Sequence, residues 1–124
     1  MALHESAEMY LETIYTLSQQ LPNVRSIDIV EAMGYSKPSI SRAVGLLKKD
    51  GYLLMDKDGF LTLTEQGKRI AVKIYERHTV LSAALVALGV DAETAAEDAC
   101  KIEHVISDKT FAAIKAHLEK FKAE

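Results

Sequence analysis

Two short helical stretches separated by a glycine turn, with a hairpin directly behind them, occupy residues 26–63. This order narrows the possible folds more than any other feature of the chain. Ser26 opens the first stretch, which runs through Met33 with Ile27, Val30 and Met33 as its apolar positions. Gly34-Tyr35 makes a tight turn. Ser36 is a suitable N-cap for the second stretch, Lys37 to about Lys49, and Pro38 is tolerated in its first turn. Asp50-Gly51 stops it. Two strand-like runs follow, Tyr52–Asp56 and Phe60–Leu63, joined by Lys57-Asp58-Gly59, and Asp-Gly is a strong hairpin signal.

Helices flank this region. Residues 6–19 carry Met9, Tyr10, Ile14 and Leu17 on a helical stripe, with Ser6 as cap and Leu21-Pro22-Asn23 as stop. Thr64 caps a long helix that extends to Leu88, and Gly89 ends it. Asp91 caps a fifth helix through about Ile106, and Ser107 and Asp108 start a sixth, to about Phe121. Two short helices joined by a glycine turn, then a hairpin, make a winged helix-turn-helix. The expected fold is therefore mainly α. The winged helix-turn-helix occupies residues 1–72 and a helical domain residues 73–124, with apolar faces on Val80–Leu88 and on the last two helices.

Composition excludes several classes. With 48% hydrophobic and 27% charged residues, two Pro and six Gly, the chain is an ordinary globular protein. The apolar stretch Val80–Val90 is too short to span a membrane, so no membrane partner is expected. The segment Met1–Glu12 lacks a signal-peptide pattern, and one cysteine forms no internal disulfide; the expected location is cytoplasmic. A net charge of −3 argues against nucleic acid only until its distribution is considered. Residues 25–49 carry Arg25, Lys37, Arg42, Lys48 and Lys49 against Asp28 and Glu31, the local positive charge that phosphate contact needs.

On a helical wheel Ile40, Ala43, Val44 and Leu47 share one face, and Pro38, Arg42, Gly45 and Lys49 the other. The N-terminal residues of a recognition helix meet base edges in the major groove. Arg42 suits bidentate pairing with guanine, while Ser36, Lys37, Pro38, Ser39 and Ser41 suit phosphates and thymine methyls. Lys57, at the wing tip, suits backbone phosphate. The competing view is a plain surface helix of a bundle, but a hairpin directly after it has little purpose there.

A second constellation lies in Cys100-Lys101-Ile102-Glu103-His104. On a helix, a thiol, a carboxylate and an imidazole at i, i+3 and i+4 point the same way, and together they can bind a divalent transition metal. Met9 and Glu12 share a face of the first helix, and His78 lies in the fourth; all three are candidates for further ligands. Each also has an ordinary reading. Met9 fits a core position, Glu12 a solvated charge, and His78 a hydrogen-bonded histidine. His4 and His117 are read as ordinary histidines.

The segments Ala7–Tyr15, Leu63-Thr64-Glu65-Gln66-Gly67, Arg77-His78 and Asp98–Asp108 make the chain resemble the diphtheria toxin repressor and manganese transport regulator family, from about residue 5 to residue 121. The resemblance implies a homodimeric, metal-activated transcription factor acting on double-stranded palindromic DNA, with residues 1–72 as its DNA-binding domain and residues 73–124 as its metal-binding and dimerisation domain. It implies no enzymatic activity and no small-molecule substrate. It implies the short form, without the SH3-like domain of the iron branch. The iron branch places Met, Cys, Glu and His at the positions of Met9, Cys100, Glu103 and His104. The manganese branch places Asp, Glu, Glu and His there, with a Glu and a His matching Glu12 and His78. This chain mixes the two, and Ser82 and Ala96 stand at the positions of the iron branch's other second-site ligands.

Thioether and thiolate disfavour manganese, so the expected ion is Fe²⁺, with Mn²⁺ next and Zn²⁺, Co²⁺ or Ni²⁺ able to bind in vitro. One ion or two are both compatible with six ligands. Metal held by ligands from both lobes would select the spacing of the two recognition helices, and a coupling of about 1–3 kcal/mol suffices for a switch. Repression of metal-uptake genes is the activity the resemblance implies. Two other readings are a manganese-responsive member of the same family and a DNA-binding protein whose metal is structural or whose Cys100 senses redox state. A metalloenzyme is disfavoured, because no second acid-base residue near Cys100–His104 has a role.

Overall fold

The computed structural model describes residues 5–123, with side chains described for residues 5–120; His4 lies outside them. The chain divides into two units, Met1–Val72 and Lys73–Glu124.

The first unit contains α1 (Glu5–Gln20), α2 (Ser26–Met33), α3 (Lys37–Lys49), β1 (Leu53–Met55), β2 (Leu61–Leu63) and the first residues of α4 (Glu65–Ala87). Tyr10, Leu11 and Ile14 form the buried stripe of α1. The backbone N–H of Arg25 donates to Asp28 Oδ2 at 2.8 Å, which occupies an otherwise orphan donor at the start of α2. Gly34, at φ 73°, closes that helix in the left-handed region. The Ser36 hydroxyl then accepts from the backbone N–H of Ser39 at 3.3 Å and starts α3, so the expected cap is the observed one.

Ile40, Val44 and Leu47 are the buried face of α3, and they join Leu11, Ile14, Ile29, Leu53 and Leu61 in one core. Each such side chain contributes about 1.5–3 kcal/mol on burial. The opposite face of α3 stays in solvent.

The wing is a two-stranded antiparallel hairpin in which Leu53, Leu54 and Met55 pair with Leu63, Thr62 and Leu61. Its strands are shorter than the apolar runs suggest. Beyond them one further backbone bond, Asp56 N–H to Phe60 O at 3.1 Å, closes the hairpin, and the Asp56 carboxylate accepts from the backbone N–H groups of Asp58 and Phe60, both at 2.9 Å, to shape the turn. Leu61 N–H donates to Val24 O at 2.7 Å, and the Arg25 guanidinium lies 4.5 Å from the centre of the Phe60 ring. Both contacts tie the wing to the segment ahead of α2.

Thr64 joins the wing to α4: its hydroxyl donates to Gly51 O at 2.7 Å and accepts from Gly67 N–H at 3.1 Å. The helix begins so close to the hairpin that a Cβ at Gly67 would stand 2.2 Å from the carbonyl oxygen of Tyr52.

The second unit contains the remainder of α4, α5 (Ala92–Ile102) and α6 (Asp108–Ala123). Gly89, at φ 104°, ends the turn after α4, and Asp91 caps α5 by accepting from Thr94 N–H at 3.0 Å. Ala95 and Ala99 are the buried residues of α5.

One expectation is corrected here. The fifth helix ends at Ile102, not near Ile106. Glu103 keeps helical dihedrals (φ −58°, ψ −26°), but residues 103–105 form a turn and Ile106 a bend. Two local bonds decide this. Val105 N–H reaches back only to Ile102 O at 3.0 Å, which tightens the last turn. The Ser107 hydroxyl accepts from Thr110 N–H at 3.1 Å and starts α6, which requires an extended residue there.

Gly67→Ala is expected to destabilise the first unit by about 1–3 kcal/mol, because the clashing atom is backbone and cannot swing aside. Chemical denaturation of the variant and the wild type measures it. Equal midpoints would contradict the close approach.

Candidate metal centre and nucleic-acid interface

Two candidate ligands of the second unit, His78 and His104, face one carboxylate. Glu103 has no solvent exposure. Its Oε2 lies 2.9 Å from His78 Nδ1, and its Oε1 lies 3.3 Å from His104 Nε2. The His104 ring is also fully covered, whereas the His78 ring is 31% exposed. A buried carboxylate needs donors or cations around it, and here an imidazole faces each oxygen. Cys100 lies on α5, one turn before Glu103, and is half-buried. The shortened helix still carries Cys100 and Glu103 on helical backbone, while His104 reaches Glu103 from the turn.

Met9 and Glu12 belong to α1 in the first unit, three residues apart and both half-buried. Thr13 Oγ1 donates to Met9 O at 2.8 Å, a backbone contact that leaves the thioether uninvolved.

One buried cation in this region was not singled out as functional from sequence. Arg77 is 6% exposed and sits beside His78 on α4. Its Nη1 donates to Glu103 O at 3.1 Å and to Ile106 O at 2.9 Å, its Nη2 donates to Asp108 Oδ1, and its guanidinium carbon lies 5.5 Å from the Phe111 ring centre. The signal for it was present. Ile74, Arg77 and Leu81 are all buried and spaced i, i+3, i+7, so the arginine falls on the inward stripe of α4. Asp108 also accepts from Lys73 Nζ at 3.1 Å. The Lys73 ammonium first, and Arg77 second, hold the Asp108 carboxyl below the usual carboxylate range.

The nucleic-acid candidates of the first unit are all exposed. Ser36, Lys37, Pro38, Ser39, Ser41 and Arg42 are all exposed along the N-terminal half of α3, and Lys57 is exposed at the wing tip. Ser36 Oγ donates to Ser39 Oγ at 2.9 Å, so these two also serve the cap. Among the described residues no helix is long and apolar enough to cross a membrane.

Two family models match end to end. Residues 2–61 match the iron dependent repressor N-terminal DNA binding domain, and residues 64–124 match the iron dependent repressor metal binding and dimerisation domain. The chain belongs to the diphtheria toxin repressor and manganese transport regulator family. It is 32% identical over 122 residues to an HTH-type transcriptional regulator of Methanocaldococcus jannaschii, covering 97% of this chain and 98% of that one. It is 38% identical over 102 residues to the HTH-type transcriptional regulator MntR of Bacillus subtilis, covering 82% of this chain and 72% of that one. It is 34% identical over 107 residues to the iron-dependent repressor IdeR of Mycobacterium tuberculosis, covering 86% of this chain but 46% of that one.

Among solved structures, the manganese regulator SloR matches with a TM-score of 0.81 and 29% identity, over 96% of this chain and 55% of that one. A manganese-dependent transcriptional repressor in complex with manganese matches with a TM-score of 0.84 and 30% identity, over 91% of this chain and 52% of that one. This family member thus spans about half the length of several relatives it matches. Family members are metal-dependent, DNA-binding transcription regulators and not enzymes. Which metal this member takes is not decided by relatives named for iron and for manganese alike.

Asp108 makes a pH prediction. A carboxylate depressed in the folded state contributes stability above its unfolded value, and that contribution is lost as pH falls through the folded value. Asp108→Asn is therefore expected to lower Tm at pH 7. The gap to wild type is expected to begin narrowing as pH falls below about 4 and to close only once pH has passed through the depressed folded value. A gap that stays constant down to the acid limit would exclude the ion-pair origin.

Proposed function

We propose that this chain is an Fe²⁺-activated DNA-binding repressor of metal-uptake genes that acts as a homodimer on a palindromic operator. One observation carries the metal half of this reading: the fully buried Glu103 carboxylate with an imidazole facing each oxygen. Donors of this kind, taken from α4 and from the turn after α5, suit a borderline divalent ion. The proposed ligand set is Met9, Glu12, His78, Cys100, Glu103 and His104. The sequence resemblance supports including Met9, Glu12 and Cys100. The thioether and thiol are the reason Fe²⁺ ranks ahead of Mn²⁺, which prefers oxygen donors. An ion held by ligands from α1 and from residues 78–104 would supply positive charge beside Glu12 and Glu103 and a tether between the two units.

For DNA, the exposed N-terminal half of α3 supplies Lys37, Ser41 and Arg42 for groove and phosphate contacts, with Lys57 on the wing. A two-fold operator requires two such helices about 34 Å apart. The dimer face we favour is the apolar groove of α4 and α6 lined by Leu81, Leu85, Leu88, Ile114 and Leu118. Leu88 is 80% exposed in the single chain, which suits a residue covered by a second copy.

Operator binding followed by fluorescence anisotropy under anaerobic Fe²⁺ or Mn²⁺ titration tests the switch. The wild type is expected to gain affinity with Fe²⁺ at lower concentration than with Mn²⁺. Glu103→Ala is expected to weaken the metal response at least about tenfold. Cys100→Glu is expected to move the preference toward Mn²⁺. Metal-independent operator affinity in the wild type would overturn the reading. If chelation unfolds the chain instead of merely releasing DNA, the metal is structural.

Leu88→Glu tests the dimer face. It is expected to shift the chain toward monomer in sedimentation velocity and to lower operator affinity with it. An unchanged dimer would place the interface elsewhere.

A further inference from the structure

The Glu103–His104 pair does not sit within a regular helix. It sits at the C-cap and in the turn that follows α5, where the last carbonyl groups lack intrahelical partners. The turn has two backbone bonds of its own, from the N–H groups of Val105 and Ile106 to Ile102 O at 3.0 and 3.2 Å, which leave the carbonyls of Glu103 and Ile106 to other donors, and two candidate ligands project from it.

Arg77 is what holds it. Its Nη1 bridges the carbonyls of Glu103 and Ile106, at 3.1 and 2.9 Å, so one guanidinium nitrogen spans the whole turn. Its Nη2 is engaged by Asp108 at the start of α6, and its face is turned toward Phe111. The side chain is therefore tied at the turn and at α6 while its own helix carries His78 in the next position. Its Nε is buried and makes no hydrogen bond, so a hydrophobic residue would fill the space at lower desolvation cost. Planarity is the property that an apolar residue or a lysine lacks. The planar fork meets the two carbonyls through one nitrogen and Asp108 through another, a fixed arrangement that a single ammonium does not reproduce.

We propose that Arg77 is a positioning residue of the metal centre: its buried guanidinium holds the turn at residues 103–106, and through it the Glu103 carboxylate and the His104 ring, in the arrangement that receives a divalent cation. Asp108 orients the guanidinium. It also offsets the positive charge that Arg77 places near an incoming ion, and Lys73 holds Asp108 in turn. The inference rests on the metal-binding reading above and deepens it, since it assigns a role to a residue that contributes no metal ligand.

The test uses the full chain and Co²⁺ alone as probe, because Co²⁺ binds the same donor types and does not oxidise in air as Fe²⁺ does. Titration calorimetry gives affinity, and the visible d–d absorption of bound Co²⁺ reports ligand geometry. Arg77→Met keeps the length and apolar stem and removes the fork. It is expected to bind Co²⁺ about 10–100-fold more weakly than wild type, with an altered d–d spectrum and an unchanged far-UV circular dichroism spectrum. Arg77→Lys, which keeps the cation but not the fork, is expected to fall between them. It serves as the reading if Arg77→Met does not fold. A merely structural arginine would lower Tm and leave the affinity and spectrum of the folded variants unchanged, and that result would overturn the proposal alone. A wild type that binds no Co²⁺, Fe²⁺ or Mn²⁺ would overturn both this inference and the metal-binding reading.

Discussion

A carboxylate cut off from solvent has to be answered by donors or positive charge, and Glu103 sets that condition for the second unit. Its side chain draws His78 from α4 and His104 from the turn. Its backbone carbonyl draws the Arg77 guanidinium, which in turn engages Ile106, Asp108 and Phe111. The pieces of the unit that are distant in sequence therefore meet around one residue. A buried polar network of this kind is costly where any member lacks a partner, so it specifies its arrangement more sharply than apolar packing does.

The first unit is organised by a different constraint. Its recognition helix is positioned by apolar burial at Ile40, Val44 and Leu47 and by a serine cap, and none of the candidate DNA-contacting side chains takes part in that core. Burial and readout occupy opposite faces of one helix. Apart from Ser36 and Ser39, which also form the cap, the candidate DNA-contacting face can therefore vary without loss of the fold. The Gly67 approach to Tyr52 and the Asp56 turn then fix how the wing leaves that helix and returns to α4.

Much of this was legible in the residues themselves. The caps at Ser36, Asp91 and Ser107, the stops at Gly34 and Gly89 and the Asp58-Gly59 turn act over a few residues, and all appear where the pattern placed them. The buried stripe of α3 followed from its period alone. The end of α5 was not legible. The helical spacing of Cys100, Glu103 and His104 continues past Ile102, but a tightened last turn and the Ser107 cap override it. Arg77 was legible as part of a family motif and silent as to role, because its partners lie 26 to 31 positions downstream.

The sequence by itself determined the order of elements, the winged helix-turn-helix and the exposed basic face of α3. These depend on short-range periodicity, capping and turn chemistry, which neighbouring residues settle among themselves. Only the tertiary structure decided that Glu103 is wholly buried, that His78 and His104 face its two oxygens, and that Arg77 spans the turn beneath them. Those facts depend on which side chains a packed interior removes from water, and that is a property of the three helices together and of no single one of them.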